Sequence, residues 1–199
     1  PRFVWLQRLL REYPDDIGAV SPLYLNVITL QPGEALFLES GVLHAYLEGT
    51  GIELMANSDN VLRGGLTSKH IDVPELLRVV RFVSERPLPS IPFVPEGQDG
   101  REKQYRTPAR EFSLSVVDPG GRQPYVVSES HGPEILLCGF GTVTVRTLVG
   151  HADHAGHADG PSESVETTLS RGQSVYLAPD ESAYQIEGSG KVYRARYPA

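Results

Sequence analysis

The sequence lacks the disulfide-forming cysteines that stabilise small secreted domains. It contains one cysteine, Cys138, so no internal disulfide can form. A chain without disulfides fits a reducing compartment, and we predict a cytoplasmic location. Methionine and tryptophan also occur only once each, whereas glycine (20) and proline (16) are frequent among the 199 residues. This composition predicts many turns and short strands rather than a helical bundle.

Clustered positive charge is also missing. The chain has 18 Lys and Arg against 25 Asp and Glu, which gives a formal net charge of -7. Phosphate-rich surfaces are bound by grouped Lys and Arg, and no apolar run approaches the length of a bilayer span. We therefore expect neither nucleic acid nor a membrane as a partner. The chain begins at Pro1 within an amphipathic pattern, which predicts that it is a piece of a longer protein.

The patterning predicts two short helices among many strands. Apolar residues at helical spacing predict a helix from Phe3 to Tyr13 that Pro14 ends. A second helix is predicted to start at Asp72, which is followed three residues later by Glu75. Its predicted buried stripe consists of Leu76, Leu77, Val80 and Val83. The predicted strands are 23–30, 35–38, 44–47, 52–56, 112–117, 125–127, 134–138, 142–145, 174–177 and 191–195. A proline-rich connector is predicted around 84–108.

An internal repeat links the two ends of the chain. With an offset of 139, the segments 30–33, 35–38 and 48–51 align without a gap to 169–172, 174–177 and 187–190. One interpretation is chance similarity between two glycine-punctuated hairpins. The interpretation that we favour is two copies of one small β-barrel or jelly-roll unit. In this alignment His44 meets Ala183 and Glu53 meets Val192, so a metal site in the first copy would have no counterpart in the second.

Several histidines could bind a metal, but most have simpler interpretations. His151, His154 and His157 lie in a polar stretch that could chelate a metal loosely. A disordered insertion is the favoured interpretation, because nothing around the rings would orient them. His70 is predicted to lie on the surface, and His131 is predicted to lie in a loop. A lone histidine such as His44 on a strand is more often an ordinary strand residue than a ligand, since zinc needs three or four.

A polar segment with glycines surrounds Arg63. Arg63 could simply pair with Asp59. However, the neighbouring glycines permit the close approach of a ligand, and a guanidinium suits bidentate contact with phosphate or an enolate oxygen. Lys69 would add a second cation within reach of the same anion.

Taken together, the run 31–35, the Leu-His-Ala-Tyr motif at His44 and the run 55–67 resemble type I mannose-6-phosphate isomerase (phosphomannose isomerase). The match is continuous from about residue 13 to 80 and looser beyond. It implies a mainly β fold of cupin-like jelly-roll barrels with a few short helices. Residues 1–85 would be the end of a helical region and the second half of the catalytic cupin barrel. Residues 86–199 would be a complete C-terminal cupin-like barrel without metal ligands.

The resemblance also implies roles for individual residues. His44 corresponds to a zinc ligand and Arg63 to the residue assigned to catalysis, while Glu53 and Lys69 correspond to residues near the substrate. The family's other zinc ligands are a Gln and a His two apart and a later Glu, all upstream of the part seen here. No Gln-x-His occurs in this chain, so the resemblance is to the C-terminal half.

The implied function is the zinc-dependent interconversion of mannose 6-phosphate and fructose 6-phosphate through a cis-enediolate, in carbohydrate metabolism towards GDP-mannose. The expected partners are a sugar phosphate and the missing N-terminal half, without which the chain should be inactive. One alternative is a non-catalytic cupin-like module that binds sugar or protein. Another is a different single-histidine cupin metal enzyme, against which stands the absence of a His-x-His pair.

Overall fold

The chain is mainly antiparallel sheet with a few short helices, as predicted. The computed structural model describes residues 1–58, 61–84, 86–95, 99–128, 132–148, 164–179 and 183–197. Two compact units divide the chain. The first unit contains Pro1–Ile52 and Asn57–Ser90, and the second contains Glu53–Ala56 and Ile91–Ala199. The assignment of these parts to one incomplete and one complete barrel stays a prediction.

The three helices of the first unit are α1 (Arg2–Glu12), a 3-10 helix (Ile17–Leu23) and α2 (Val73–Val79). Of these, α1 and the start of α2 lie close to the predicted residues, and the 3-10 helix was not predicted. Asp72 caps α2 by accepting the Glu75 N–H at 3.0 Å. The predicted buried stripe of α2 is wrong, because the helix ends at Val79 and has no buried residue, and Leu77 is 59% exposed.

The four strands predicted between residues 23 and 56 are not formed. Within the described residues, this region contributes no strand and one isolated bridge, between Ala35 and Ser90. A strand needs a neighbouring backbone to complete its hydrogen-bond ladder, and these segments do not pair with one another. Large apolar side chains consequently remain exposed here, among them Phe37 and Tyr46.

The second unit forms a seven-stranded antiparallel sheet. Its strands are β1 (Glu102–Gln104), β2 (Ser113–Val117), β3 (Tyr125–Val127), β4 (Glu134–Thr147), β5 (Glu166–Ser170), β6 (Ser174–Leu177) and β7 (Tyr184–Arg196). The order is β1-β2-β7-β4-β5, with β3 also on β7 and β6 also on β4. Each long central strand thus pairs with different neighbours at its two ends. β2 and β3, both predicted from the sequence, alternate buried residues with less buried ones.

The glycine-containing segments 139–141 and 187–190 lie inside β4 and β7. The two strands remain paired through both segments, with an irregular register near residue 139. A Cβ on Gly188 would lie 2.6 Å from the Thr142 carbonyl oxygen, closer than side chains approach backbone. These glycines therefore allow two bent strands to approach closely, rather than ending them.

The core of the second unit is formed by the inward-facing residues of these strands. Alternate positions along β4 are buried, and the corresponding positions of β7 face them. The buried cluster consists of Val117, Tyr125, Val127, Leu136, Cys138, Val143, Val145, Leu169, Leu177, Tyr184, Ile186 and Val192. Such burial stabilises by about 25 cal/mol per Å² of apolar surface, which makes this unit the better packed of the two.

The internal repeat is visible in the backbone. Gly33 and Gly172, equivalent under the offset of 139, have φ of 90° and 85°. Gly49 and Gly188, the next equivalent pair, have φ of 113° and 119°. Only glycine adopts such angles readily, so both pairs place glycine where the same backbone conformation requires it.

The turns that precede residues 35–38 and 174–177 are also closed in the same way. Glu34 N–H donates to the Gln31 carbonyl at 2.9 Å, and Gln173 N–H donates to the Ser170 carbonyl at 2.9 Å. In both turns the fourth side chain accepts from the first backbone N–H, at 2.7 Å for Glu34 and 2.8 Å for Gln173. Chance resemblance between hairpins does not account for matched backbone and side-chain bonds, which favours two copies of one unit.

Candidate functional site

The predicted site residues lie on the surface and in two different units. His44, Arg63 and Lys69 belong to the first unit, while Glu53 belongs to the short segment grouped with the second. All four are exposed. Within the described residues, no three His, Cys, Asp or Glu side chains come together in a way that could hold a metal ion.

The His44 ring is held in one tautomer. Its Nδ1 lies 3.0 Å from the carbonyl oxygen of Val42. A carbonyl can only accept, so in the neutral ring Nδ1 carries the proton and Nε2 the lone pair. Zinc-binding histidines commonly use this arrangement, with one nitrogen donating to a backbone carbonyl and the other binding the metal. Tyr46 lies edge-on to the ring at a centroid distance of 5.9 Å. The geometry therefore fits one zinc ligand, and the described residues do not complete the set.

The loop that carries Arg63 and Lys69 is held by backbone contacts. A Cβ on Gly64 would lie 2.8 Å from Cδ2 of Leu43, the neighbour of His44. The His44 segment and the Arg63 loop are thus in direct contact. Thr67 Oγ1 accepts the Lys69 N–H at 3.1 Å and shapes the end of the loop. The motif residues 59 and 60, including the alternative partner Asp59, lie outside the described residues.

Asp16, for which the sequence predicts no role in the site, contacts the same loop. One carboxylate oxygen accepts the Gly18 N–H at 2.7 Å, and the other accepts the Leu66 N–H at 2.6 Å. Fifty residues separate Asp16 from Leu66, so spacing could not reveal this pair. The sequence feature that could have indicated this contact is the pair of glycines before Leu66, because such glycines mark a close backbone approach.

A buried charged cluster in the second unit was also missed. Arg194 and Glu134 form an ion pair with two 2.6 Å bonds, and Glu102 lies 3.2 Å from the same guanidinium. Arg194 and Glu134 side chains are 4% and 2% exposed. The sign in the sequence was an arginine on the inward-facing side of a predicted strand, two residues after Val192.

Hydrogen bonds set the charge states in this cluster. Burial raises the pKa of the Glu102 carboxyl, but bonds from Ser115 and Tyr125, both at 2.5 Å, and the charge of Arg194 outweigh it, so its pKa lies below the ordinary value. Burial and the bond to Glu102 raise the pKa of Tyr125. The cluster is therefore two ionised carboxylates around an arginine, with neutral tyrosine donors. This arrangement satisfies its own charges and suits a structural role.

Other predicted features contribute nothing to a site in the described structure. His151, His154, His157 and His131 lie outside the described residues. His70 is exposed, as predicted. A cleft of about 450 Å³ in the second unit is lined by Phe93, Gln104, Phe112 and neighbouring residues, and none of the four predicted site residues lines it.

Comparison with known proteins connects the chain to isomerases of a phosphorylated sugar. No family model matches the chain, but curated relatives do. These relatives are mannose-6-phosphate isomerases, and the chain is homologous to them, which confirms the predicted resemblance. It is 38% identical over 188 residues to the enzyme of Escherichia coli K12, covering 94% of this chain and 43% of the relative. It is 35% identical over 180 residues to the human enzyme, covering 89% and 39%.

Solved structures give the same result. The mannose 6-phosphate isomerase of Salmonella typhimurium, in a crystal structure with fructose 6-phosphate and zinc, superposes with a TM-score of 0.73 at 34% identity. That match covers 98% of this chain and 45% of the solved chain. The predicted cupin-like, mainly β fold is confirmed. The chain spans less than half the length of the curated relatives that it matches.

None of the helices that the structure describes has the length and apolar character needed to cross a bilayer.

Proposed function

We propose that this chain contributes part of the active site of a zinc-dependent aldose–ketose isomerase that interconverts mannose 6-phosphate and fructose 6-phosphate. The observation that carries the proposal is the His44 ring, whose Nδ1 bond to Val42 leaves the lone pair on Nε2. The homology to mannose-6-phosphate isomerases over 94% of the chain supports it. A cytoplasmic location and a role towards GDP-mannose are parts of the same proposal.

The reaction moves a proton between C1 and C2 of the open-chain sugar through a cis-enediolate. When bound, zinc would stabilise negative charge on the sugar oxygens as a Lewis acid. Arg63 would add fixed positive charge beside the enediolate or hold the phosphate, and Lys69 would add a second cation. Glu53 is the candidate base that takes the C2 proton, since a carboxylate can accept and return it.

The remaining zinc ligands would come from the N-terminal half of the protein, outside these 199 residues. The absence of a three-ligand group within the described residues agrees with this, and the chain alone should be inactive. The segments between residues 24 and 58, with exposed Phe37 and Tyr46, supply apolar surface for that half to cover.

The test compares the 199-residue chain with the longest protein expressed from the same gene, here called the longest gene product. We expect the longest gene product to bind zinc and isomerise mannose 6-phosphate, and the chain alone to do neither well. His44→Ala should lower activity by more than about 100-fold and remove the bound zinc. His70→Ala, at another exposed histidine of the first unit, should change neither.

The outcomes separate the parts of the proposal. Full activity of the chain alone would show that its site is complete. Retention of zinc by His44→Ala would remove His44 from the ligand set. Sugar binding without turnover by the longest gene product would favour the second candidate, a non-catalytic cupin-like module.

A further inference from the structure

Asp16 binds the middle of the loop that carries Arg63 and Lys69. Its two carboxylate oxygens accept from two different backbones, Gly18 N–H at 2.7 Å and Leu66 N–H at 2.6 Å. The first bond caps the 3-10 helix that begins at Ile17. The second reaches across fifty residues to the middle of the loop. One carboxylate therefore ties the start of a helix to the segment that carries two predicted site residues.

The loop is strained at the point where Asp16 binds it. Leu66 has φ of 54°, the one non-glycine residue with positive φ within the described structure. An L-residue pays about 1–2 kcal/mol for this left-handed conformation, and such strain persists only where surrounding contacts fix it. The bond from Leu66 N–H to Asp16 is such a contact. Its loss would let the backbone at residue 66 relax.

Two glycines make this contact possible. Gly18 and Gly65 approach so closely that a Cβ on Gly65 would lie 3.3 Å from the Gly18 Cα and 3.2 Å from the Asp16 Oδ1. Gly65 has φ of 142°. The backbone at Gly18 is buried, so the loop rests on a fixed surface. Asp16, Gly18 and Gly65 together define where the loop begins its path from Arg63 to Lys69.

We propose that Asp16 is a positioning residue for Arg63: it sets the backbone from which the guanidinium reaches the substrate, without touching the substrate itself. This rests on the proposed function. A small displacement of a charged group from its working position can cost about 100-fold in rate. Asp16→Asn keeps the shape of the side chain but replaces one acceptor oxygen with an amide donor. Asp16→Ala removes both bonds.

The first measurement does not depend on activity. Hydrogen exchange at the Leu66 amide in the longest gene product should become at least about tenfold faster in Asp16→Asn and Asp16→Ala. Asp15→Asn is the matched control, because Asp15 is the exposed neighbour and makes the same charge change. It should leave the exchange of Leu66 unchanged. Unaltered Leu66 exchange in Asp16→Ala would overturn the proposal.

The second measurement is a double-mutant cycle on kcat/KM for mannose 6-phosphate. Asp16→Asn should lower kcat/KM by about 10- to 100-fold, with Asp15→Asn unchanged. If Asp16 acts through Arg63, adding Asp16→Asn to Arg63→Ala should cost little more than Arg63→Ala alone. Multiplying losses would indicate a merely structural role and overturn the proposal.

An inactive longest gene product would overturn the proposed function and the catalytic part of this inference together. The exchange measurement would still decide whether Asp16 fixes the loop, so the two failures are distinguishable.

Discussion

Arg194 and Glu134 form a two-bond ion pair across the neighbouring strands β7 and β4, with Nε–Oε2 and Nη2–Oε1 distances both of 2.6 Å. The pair lies inside the second unit rather than at its surface. Tyr184 adds a 2.5 Å bond to the same carboxylate. A buried charge is tolerated when partners surround it, and it becomes costly when one partner is removed.

Arg194→Met should therefore destabilise the second unit strongly. It leaves the Glu134 and Glu102 carboxylates buried without their shared cation, at an expected cost of about 3–5 kcal/mol in the free energy of unfolding. Urea unfolding followed by circular dichroism measures it. Arg146→Met is the control, because Arg146 makes a similar pair with Glu166 on the surface and should cost less than about 1 kcal/mol. Equal effects would show that burial does not decide the strength of these pairs.

The stability that Tyr125 contributes should depend on pH. Its hydroxyl helps to hold the pKa of Glu102 below the ordinary value. A lowered carboxyl pKa stabilises the fold above the unfolded pKa of about 4.3, and this contribution is lost as the pH falls through the folded value. Tyr125→Phe should therefore cost more stability near neutral pH than in acid, and should move acid unfolding to higher pH.

Unfolding by denaturant at neutral pH and in acid measures this difference. Tyr176→Phe, at an exposed tyrosine on β6, should have an equally small effect at both. A Tyr125→Phe cost that does not change with pH would contradict the assignment of Tyr125 to the ionised Glu102.

Gly190→Ala should disrupt the close pairing of β4 and β7. A Cβ at this position would collide with the carbonyl oxygen of Phe140, a backbone atom that cannot move aside alone. We expect a loss of at least about 1–3 kcal/mol, as for overpacking. Gly100→Ala is the control, since nothing lies within 4 Å of its added Cβ, and it should stay within about 0.5 kcal/mol. Thermal unfolding compares the two, and similar melting temperatures would contradict the close approach.

Cys138 should report the opening of the second unit. Its side chain is fully buried, and burial raises the pKa of its thiol, so both access and ionisation oppose reaction. We expect alkylation by iodoacetamide, followed by mass, to be about a thousandfold slower than in urea. As the only cysteine, it gives one adduct and no ambiguity. Rapid labelling under native conditions would show that the core opens locally around β4.

The sequence predicted the second unit better than the first for a physical reason. The strands at 113–117 and 125–127 find partners on β7 within the chain, so strand-forming residues there are enough to predict them. The segment 23–30 has the same apolar character, yet it forms no strand within the described structure, because pattern predicts which face is apolar and not whether a partner is present.

The sequence-based prediction within β4 was wrong at its glycines. The sequence predicts separate strands at 134–138 and 142–145, with a break at the glycines between them, since glycine usually ends a strand. Here Gly141 has φ of 75° inside a continuous strand that bends against β7. Distinguishing a turn from a bend within a paired strand requires knowing which residues lie on the neighbouring strand. The sequence of one strand does not contain that information.

The roles of His44 and Glu53 were predicted only through resemblance, whereas the glycines beside Arg63 and the nearby Lys69 also indicated an anion-binding loop. All four roles remain predictions. The tautomer of His44 depends on a backbone carbonyl two residues away, and the contact of Asp16 with Leu66 depends on the fold. Neither follows from spacing along the chain.

The matching turns at Gly33 and Gly172 can be compared directly with each other within one protein. Both glycines have nearly the same φ, and nothing lies within 4 Å of a Cβ added to either. Alanine at the two positions therefore meets the same local strain and the same open space. Any difference in how much the two substitutions destabilise the protein measures what the surrounding unit adds, so the segment that precedes His44 and the one that precedes Ala183 can be compared within a single chain.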